Sequence, residues 1–168
     1  VGRLMWNADA DVDALYQEFL GRAYGPEAGP LIGRIYDLVD ERLQAYIQSK
    51  ASVDHEIDYA AAKAIYGPIF PEMQRLYLEA VGKPKTDAQR LRLEMFGDNM
   101  TQALFHMWKA KLMTKEEAQK SPLFKGTDDL EDWIVEKEKG FSIIPVSEWV
   151  KTYGYTDMPV LRPNWRPK

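Results

Sequence analysis

The stretch from Leu4 to Tyr36 constrains the fold more than any other part of the 168-residue chain. It contains two runs of apolar residues at helical spacing, separated by the pair Gly25-Pro26. Glycine suits the residue that closes a helix with a positive φ, and proline suits the first turn of the next helix. The pattern therefore predicts helices over about residues 11–24 and 26–48, which meet at a corner and bury their apolar faces together. The first face comprises Val12, Leu15, Tyr16, Phe19 and Leu20, and the second comprises Leu31, Ile32, Ile35, Tyr36, Leu38, Val39 and Leu43.

Polar side chains precede the first helix. Asn7, Asp9 and Asp11 can each cap it, because their side-chain oxygens accept the unpaired amide protons of a first turn. Together with Glu18 they also occupy positions 1, 3, 5 and 12 of an EF-hand calcium loop. Val12 stands where that loop needs glycine, so helix capping is the favoured interpretation and calcium binding the alternative.

The same stretch carries a family resemblance. The sequence LMWNADADVDALYQEF and the YGPEA corner that follows it resemble the end of a bacterial glycoside-hydrolase-like family. Members of that family have a TIM barrel distantly similar to α-glucuronidases, followed by a helical C-terminal region, and many have no assigned function. The resemblance extends over about residues 3–45.

The resemblance implies an accessory role. In that family the W-N-x-D-A-D element follows the last barrel elements, and the barrel would carry any catalytic carboxylates. This chain would then be the helical C-terminal part of a larger, carbohydrate-active protein, which fits a first residue, Val1, that is not methionine. It would support the upstream barrel, with dimerisation as a further expected role, through Leu4, Met5 and Trp6 and the apolar faces of the first two helices. The resemblance also implies a carbohydrate as possible ligand and favours a secreted or periplasmic location.

Composition excludes several classes of function. The formal net charge is −4, whereas a nucleic-acid interface normally needs a basic surface. The sequence has no cysteine, which rules out disulfides and thiolate metal sites. No apolar run approaches the roughly 20 residues that span a bilayer. We therefore expect neither nucleic acid nor a membrane as partner.

The rest of the chain also has a helical pattern. Thr86 with Gln89 and Thr114 with Glu117 have the spacing of capping boxes, which start helices. Gly97 lies in the middle of the longest predicted helix, where it indicates either close packing by another backbone or a kink. Further helices are predicted at about residues 57–66, 71–81, 86–112 and 127–139, with a capped turn at 114–119 and a short helix at 147–153. The sequence thus predicts an all-α bundle of about six or seven helices in one domain, residues 1–168.

The C-terminal segment 141–168 has a different character. Its four prolines restrict the backbone and remove hydrogen-bond donors, which argues against regular structure. It also contains several large apolar side chains, so we expect an irregular tail that packs on the helices. Tyr155 and Trp165 are candidates for contact with a carbohydrate, with simple packing as the alternative.

Few side chains offer catalytic or metal-binding chemistry. The cluster Asp54, His55, Glu56 and Asp58 contains metal-ligand types, but no spacing that places two ligands on one helical face. A solvated loop is the favoured interpretation, and a small hydrolase that uses Glu56 or Asp58 is the weakest hypothesis. His106 is expected to be a packed or edge histidine rather than a base.

Acidic residues occur in two further groups. Asp128, Asp129, Glu131 and Asp132 are expected at a helix N-terminus and on its solvated face, where negative charge is favourable. Glu94 and Asp98 are expected to form an exposed pair of like charges. We therefore predict no catalytic residue, cofactor or metal in this chain. The rival to the accessory role is a free-standing helical module that binds a protein partner.

Overall fold

The computed structural model describes residues 9–49, 59–126 and 129–139. Within these ranges the chain forms seven helices and no strand, which confirms the predicted all-α fold. The helices are α1 (Val12–Tyr24), α2 (Gly29–Gln48), α3 (Tyr59–Ile65), α4 (Phe70–Ala80), α5 (Asp87–Lys109), α6 (Lys115–Lys120) and α7 (Leu130–Lys139). The tail 141–168 and the predicted helix 147–153 lie outside the described residues, so their packing stays a prediction.

The corner between α1 and α2 follows the predicted chemistry with one difference. Gly25 closes α1 with a φ of +93° and donates its amide proton to the Gly21 carbonyl oxygen over 3.0 Å. The prediction that Pro26 opens α2 is wrong, because residues 26–28 form a turn and α2 begins at Gly29. Gly25 has an extended ψ of 165°, so the chain leaves α1 without entering a helix at once. Pro30 instead occupies the first turn of α2, where no hydrogen-bond donor is needed.

Helices α1 and α2 approach each other closely at two glycines. A Cβ atom on Gly29 would lie 2.9 Å from the Leu20 carbonyl oxygen, and one on Gly33 would lie 2.7 Å from Leu20 Cδ1. No larger residue fits at either place without a shift of the backbone or of Leu20. This glycine pair, one helical turn apart, therefore determines how α1 and α2 pack.

Local signals set the starts of the later helices. Both predicted capping boxes are present, at Thr86 with Gln89 and at Thr114 with Glu117. The Asp129 carboxylate accepts a hydrogen bond from the Glu131 amide over 2.8 Å, directly before α7. Thr127 and Asp128, at the start of the predicted helix 127–139, lie outside the described residues.

Helices α2 and α5 organise the core. α2 packs against α1, α3 and α4, while α5 packs against α1, α6 and α7. The residues of α5 that are buried include Leu93, Met100, Leu104, Phe105 and Met107. Two predicted core positions on α1 are wrong, because Val12 and Phe19 are each more than 50% exposed. Leu91 and Met95 on α5 are also more than 40% exposed.

Gly97 is explained by a tyrosine of α4. A Cβ atom on Gly97 would overlap the Tyr77 hydroxyl oxygen and lie 2.5 Å from the ζ carbon of the same ring. Tyr77 is only 3% exposed, so the ring has no free space to move into. The close-packing interpretation of Gly97 is confirmed, although its neighbour is a side chain rather than another backbone.

A buried threonine joins α5 to the loop after α6. The hydroxyl of Thr101 lies 2.9 Å from the Leu123 carbonyl oxygen and 3.1 Å from that of Gly97. Both Thr101 and Leu123 are almost completely buried, so this hydroxyl satisfies an acceptor that water does not reach.

The contrast between two helical glycines gives a test of the core. Gly97→Ala is expected to lower the free energy of unfolding by about 1–3 kcal/mol, because overpacking at Tyr77 outweighs the better helix propensity of alanine. Gly21→Ala is the matched control, since no atom lies within 4 Å of its added Cβ. That variant is expected to gain about 0.5–1 kcal/mol. Urea denaturation of both variants measures the two changes, and stabilisation by Gly97→Ala would contradict the packing described here.

Candidate functional site

Most of the sequence-predicted site residues lie outside the described parts of the chain. The interface candidates Leu4, Met5 and Trp6 precede them, and the carbohydrate candidates Tyr155 and Trp165 follow them. The acidic cluster with His55 falls in the gap between residues 49 and 59. These three predictions therefore stay predictions.

The alternative of a calcium loop before α1 is wrong. The Asp11 carboxylate accepts a hydrogen bond from the Ala14 amide over 3.0 Å and so caps α1. Glu18 forms an ion pair with Arg22 over 2.6 Å, one helical turn further on. Helix α1 occupies the positions from Val12 onward that the calcium loop would need. Among the described residues, no group of three or more metal-ligating side chains is placed to hold an ion.

The acidic residues at the start of α7 are bound to lysines. Lys115 Nζ lies 2.5 Å from the Asp129 carboxylate, and Lys109 Nζ lies 2.6 Å from the Glu131 carboxylate. Burial alone would raise the pKa of Asp129, but hydrogen bonds from Lys115 and from the Glu131 amide lower it on balance. Asp129 therefore stays ionised, which does not suit a general acid.

The same two lysines also contact Trp108. Lys109 Nζ lies 3.9 Å and Lys115 Nζ 5.0 Å from the centre of that indole ring, within the range of cation–π attraction. Trp108 packs edge-on against Phe105 of the same helix. This cluster joins the end of α5 to α6 and α7, and each of its charges has a partner.

A second ion pair links α5 to α7. Lys137 Nζ lies 2.9 Å from the Asp98 carboxylate. The expectation that Glu94 and Asp98 form an exposed pair is therefore wrong for Asp98, whose side chain is half-buried under α7, while Glu94 is exposed. Sequence reasoning missed this pair because its two members are far apart in the chain.

His106 has a buried nitrogen without a partner. Its ring is half-buried, as predicted, but Nδ1 is shielded from solvent and has no hydrogen-bond partner among the described residues. Burial lowers the pKa of His106 to about 4. The ring packs edge-on against Phe105, and the neutral form is the stable one in the folded chain.

Five aromatic rings from four helices form one cluster around Phe96. Tyr24 and Tyr36 meet Phe96 edge-on at 6.1 and 5.8 Å between ring centres, and Tyr77 stacks on it at 6.0 Å. Phe19 extends the cluster by an edge-on contact with Tyr24 at 6.4 Å. Such pairs stabilise beyond simple burial, by about 0.5–1.5 kcal/mol each.

Part of this cluster faces solvent. Phe19 is 52% exposed and Tyr36 is 40% exposed, whereas Tyr24 and Tyr77 are buried. We call Phe19, Tyr36 and the half-buried Phe96 the aromatic surface. Sequence periodicity assigned Phe19 and Tyr36 to buried helix faces, so their exposure was missed. Large apolar side chains that adjoin one another at the surface mark sites of interaction.

Comparison with known proteins adds one finding. A family model described as a domain of unknown function (DUF4838) matches residues 1–37. Within the described chain, that match covers α1, the corner and the first part of α2, and it coincides with the stretch that carries the family resemblance. No curated protein and no solved structure matches the chain. None of the helices in the described ranges has the length and apolar character needed to cross a membrane.

The unpartnered nitrogen of His106 predicts a pH dependence of stability. Because the folded-state pKa is about 4 and the unfolded value is near 6.5, only the unfolded chain binds this proton between those pH values. Stability is therefore expected to fall as the pH drops from 6.5 towards 4. Replacing the ring with a non-titrating one, His106→Phe, should make the urea midpoint less dependent on pH in this window.

His55 provides the control for this experiment, because it is the only other histidine in the sequence. His55→Gln is expected to leave unchanged the pH dependence of the urea midpoint that His106 causes. An identical pH dependence in the parent chain and in His106→Phe would show that His106 does not carry the effect.

Proposed function

We propose that this chain is a non-catalytic, accessory helical region of a carbohydrate-active, glycoside-hydrolase-like protein. In this role it supports a preceding barrel of the same polypeptide and contributes to dimerisation. The observation that carries the proposal is the aromatic surface, formed by Phe19, Tyr36 and Phe96. Two of these residues belong to the matched range 1–37, where the resemblance places the connection to a barrel.

The aromatic surface has the chemistry of an interface. Aromatic rings are enriched in protein–protein contacts, where they bury much apolar area for little loss of side-chain entropy. Phe19 and Phe96 each meet the buried Tyr24 edge-on, Tyr36 meets Phe96 edge-on, and the buried Tyr77 stacks on Phe96. These rings are therefore already ordered before a partner binds. An ordered surface loses less entropy on association, which favours a permanent contact.

The carboxylates of α5 and α7 support a structural role for this chain. Asp98, Asp129 and Glu131 each pair with a lysine at 2.9 Å or less. A glycosidase needs two carboxyl groups across a sugar, one of which keeps its proton near neutral pH. Hydrogen bonds from Lys115 and from the Glu131 amide lower the pKa of Asp129, so this carboxylate is unsuited to keep a proton, and the three ion pairs support a structural role.

Two measurements test the proposal. In extracts of the source cells, an antibody raised against these 168 residues is expected to detect a polypeptide several times larger than 19.4 kDa. A band at 19.4 kDa without a larger precursor would contradict the accessory role and favour the free-standing interaction module instead.

The second measurement uses thiol labelling, which is clean because the sequence has no cysteine. Phe19→Cys and Tyr36→Cys are expected to react rapidly with a maleimide in the 168-residue chain and slowly in the longer polypeptide. Leu78→Cys on α4 is the control, because Leu78 is 36% exposed and close in accessibility to Tyr36. It should react equally in both.

The labelling result also separates the possible partners. Slow labelling of the 168-residue chain that becomes rapid on dilution would assign the aromatic surface to a second copy. Equal labelling of the long and short polypeptides would mean that no preceding domain covers this surface.

A further inference from the structure

The aromatic surface is bordered by charges of opposite sign. Arg92 lies one helical turn before Phe96 on α5, and Asp37 directly follows Tyr36 on α2. Both charged side chains are exposed, and neither forms an ion pair among the described residues. Each charge is therefore available to a partner that covers the rings.

Two tyrosines of α1 show that these charges lie at separate ends of the surface. Burial raises the pKa of Tyr24, and the positive charge of Arg92 opposes that rise, so Arg92 lies near this hydroxyl. Burial also raises the pKa of Tyr16, and the negative charge of Asp37 raises it further. Tyr16 and Tyr24 are eight residues apart, which corresponds to about 12 Å along the helix axis. The surface thus has a basic end near Tyr24 and an acidic end near Tyr16.

The other charges near Asp37 leave the acidic end negative. Arg34 lies close to Asp37 but is paired with Glu41 over 2.7 Å. Asp40, one helical turn after Tyr36, adds an exposed carboxylate that forms no ion pair in the described ranges. Three carboxylates therefore face one guanidinium at this end.

We propose that the aromatic surface binds the same surface of a second copy of this chain, related to the first by a two-fold axis. In this pair the Arg92 end of each copy meets the Asp37 end of the other, and the exposed rings of both copies are buried between them. A symmetric pair needs a surface that is complementary to itself, and opposite charges at the two ends provide this. The inference rests on the proposed interface role of the aromatic surface and names the partner in the proposed dimerisation.

The pair is expected to be weak in the 168-residue chain. Three rings make a small apolar centre, and small interfaces form transient complexes. The dilute chain is then monomeric, so the rapid thiol labelling expected of it is unaffected.

Sedimentation equilibrium of the 168-residue chain, at concentrations up to about 1 mM, tests this pairing. Arg92→Glu and Asp37→Lys are each expected to weaken the pair by about tenfold or more, because each change places like charges opposite one another. An equimolar mixture of the two variants is expected to pair with an affinity within about threefold of the parent value. In the mixed pair both charged contacts are complementary again.

Arg90→Glu is the matched control. It makes the same change of charge on α5, but residues two apart on a helix point to different sides, so Arg90 does not share the side of Arg92. This variant should pair as the parent chain does. All the replaced side chains are exposed, so each variant is expected to keep the far-UV circular dichroism spectrum of the parent.

The unfavourable outcomes are equally definite. A parent chain that stays monomeric overturns the proposal, and so does a mixture that pairs no better than either variant alone. Equal weakening by Arg90→Glu also overturns it, because the effect would then follow net charge rather than position. None of these results changes the mass of the natural polypeptide or the contrast in labelling between the short and the long chain, so the accessory role and the pairing of two copies fail separately.

Discussion

The rest of the fold depends on the contact between Leu20 and the glycines Gly29 and Gly33. The Leu20 carbonyl oxygen and side chain fill the space that a Cβ atom at either glycine would need. This contact sets the distance and the relative position of α1 and α2. In that position α1 packs against α5 and α2 packs against α4. The aromatic cluster forms where these four helices meet. Helices α1 and α2 can pack this closely only because Gly29 and Gly33 have no side chain.

Charged contacts have a different role in the second half of the chain. Helix α7 has few residues, and of its side chains Leu130 and Ile134 are fully buried. Ion pairs from Lys109 to Glu131 and from Lys137 to Asp98 hold it on α5 at two points along its length. Exposed pairs contribute little to stability, but these are partly buried and the lysines of α5 and α6 also stack on Trp108. The ion pairs thus fix the orientation of α7, because its small apolar face alone would not determine that orientation.

The sequence predicted the features that depend on neighbours along the chain. The caps at Asp11, Thr86 and Thr114 were recognisable because each capping side chain accepts a hydrogen bond from an amide only three residues further along the chain. Periodicity was less informative for the core. It assigned Val12 and Phe19 to the inward face of α1, yet periodicity shows only which residues share a side of a helix and not whether another helix covers that side.

Contacts between distant residues were missed for the same reason. Nothing in the local pattern links Asp98 to Lys137, or Gly97 to Tyr77, because each pair belongs to different helices. Gly29 and Gly33 are evident in the sequence. Their spacing indicates a close helix contact only once Leu20 is known to pack against both glycines.

The exposure of Phe19 and Tyr36 has a physical implication of its own. The core contact between the buried Tyr24 and the half-buried Phe96 needs neither ring, because these two partners pack with each other directly. An exposed aromatic side chain adds to the apolar surface and so promotes unwanted association. Phe19 and Tyr36 are exposed and yet held in place by neighbouring rings. This arrangement is better explained if a partner covers the surface in the functional protein.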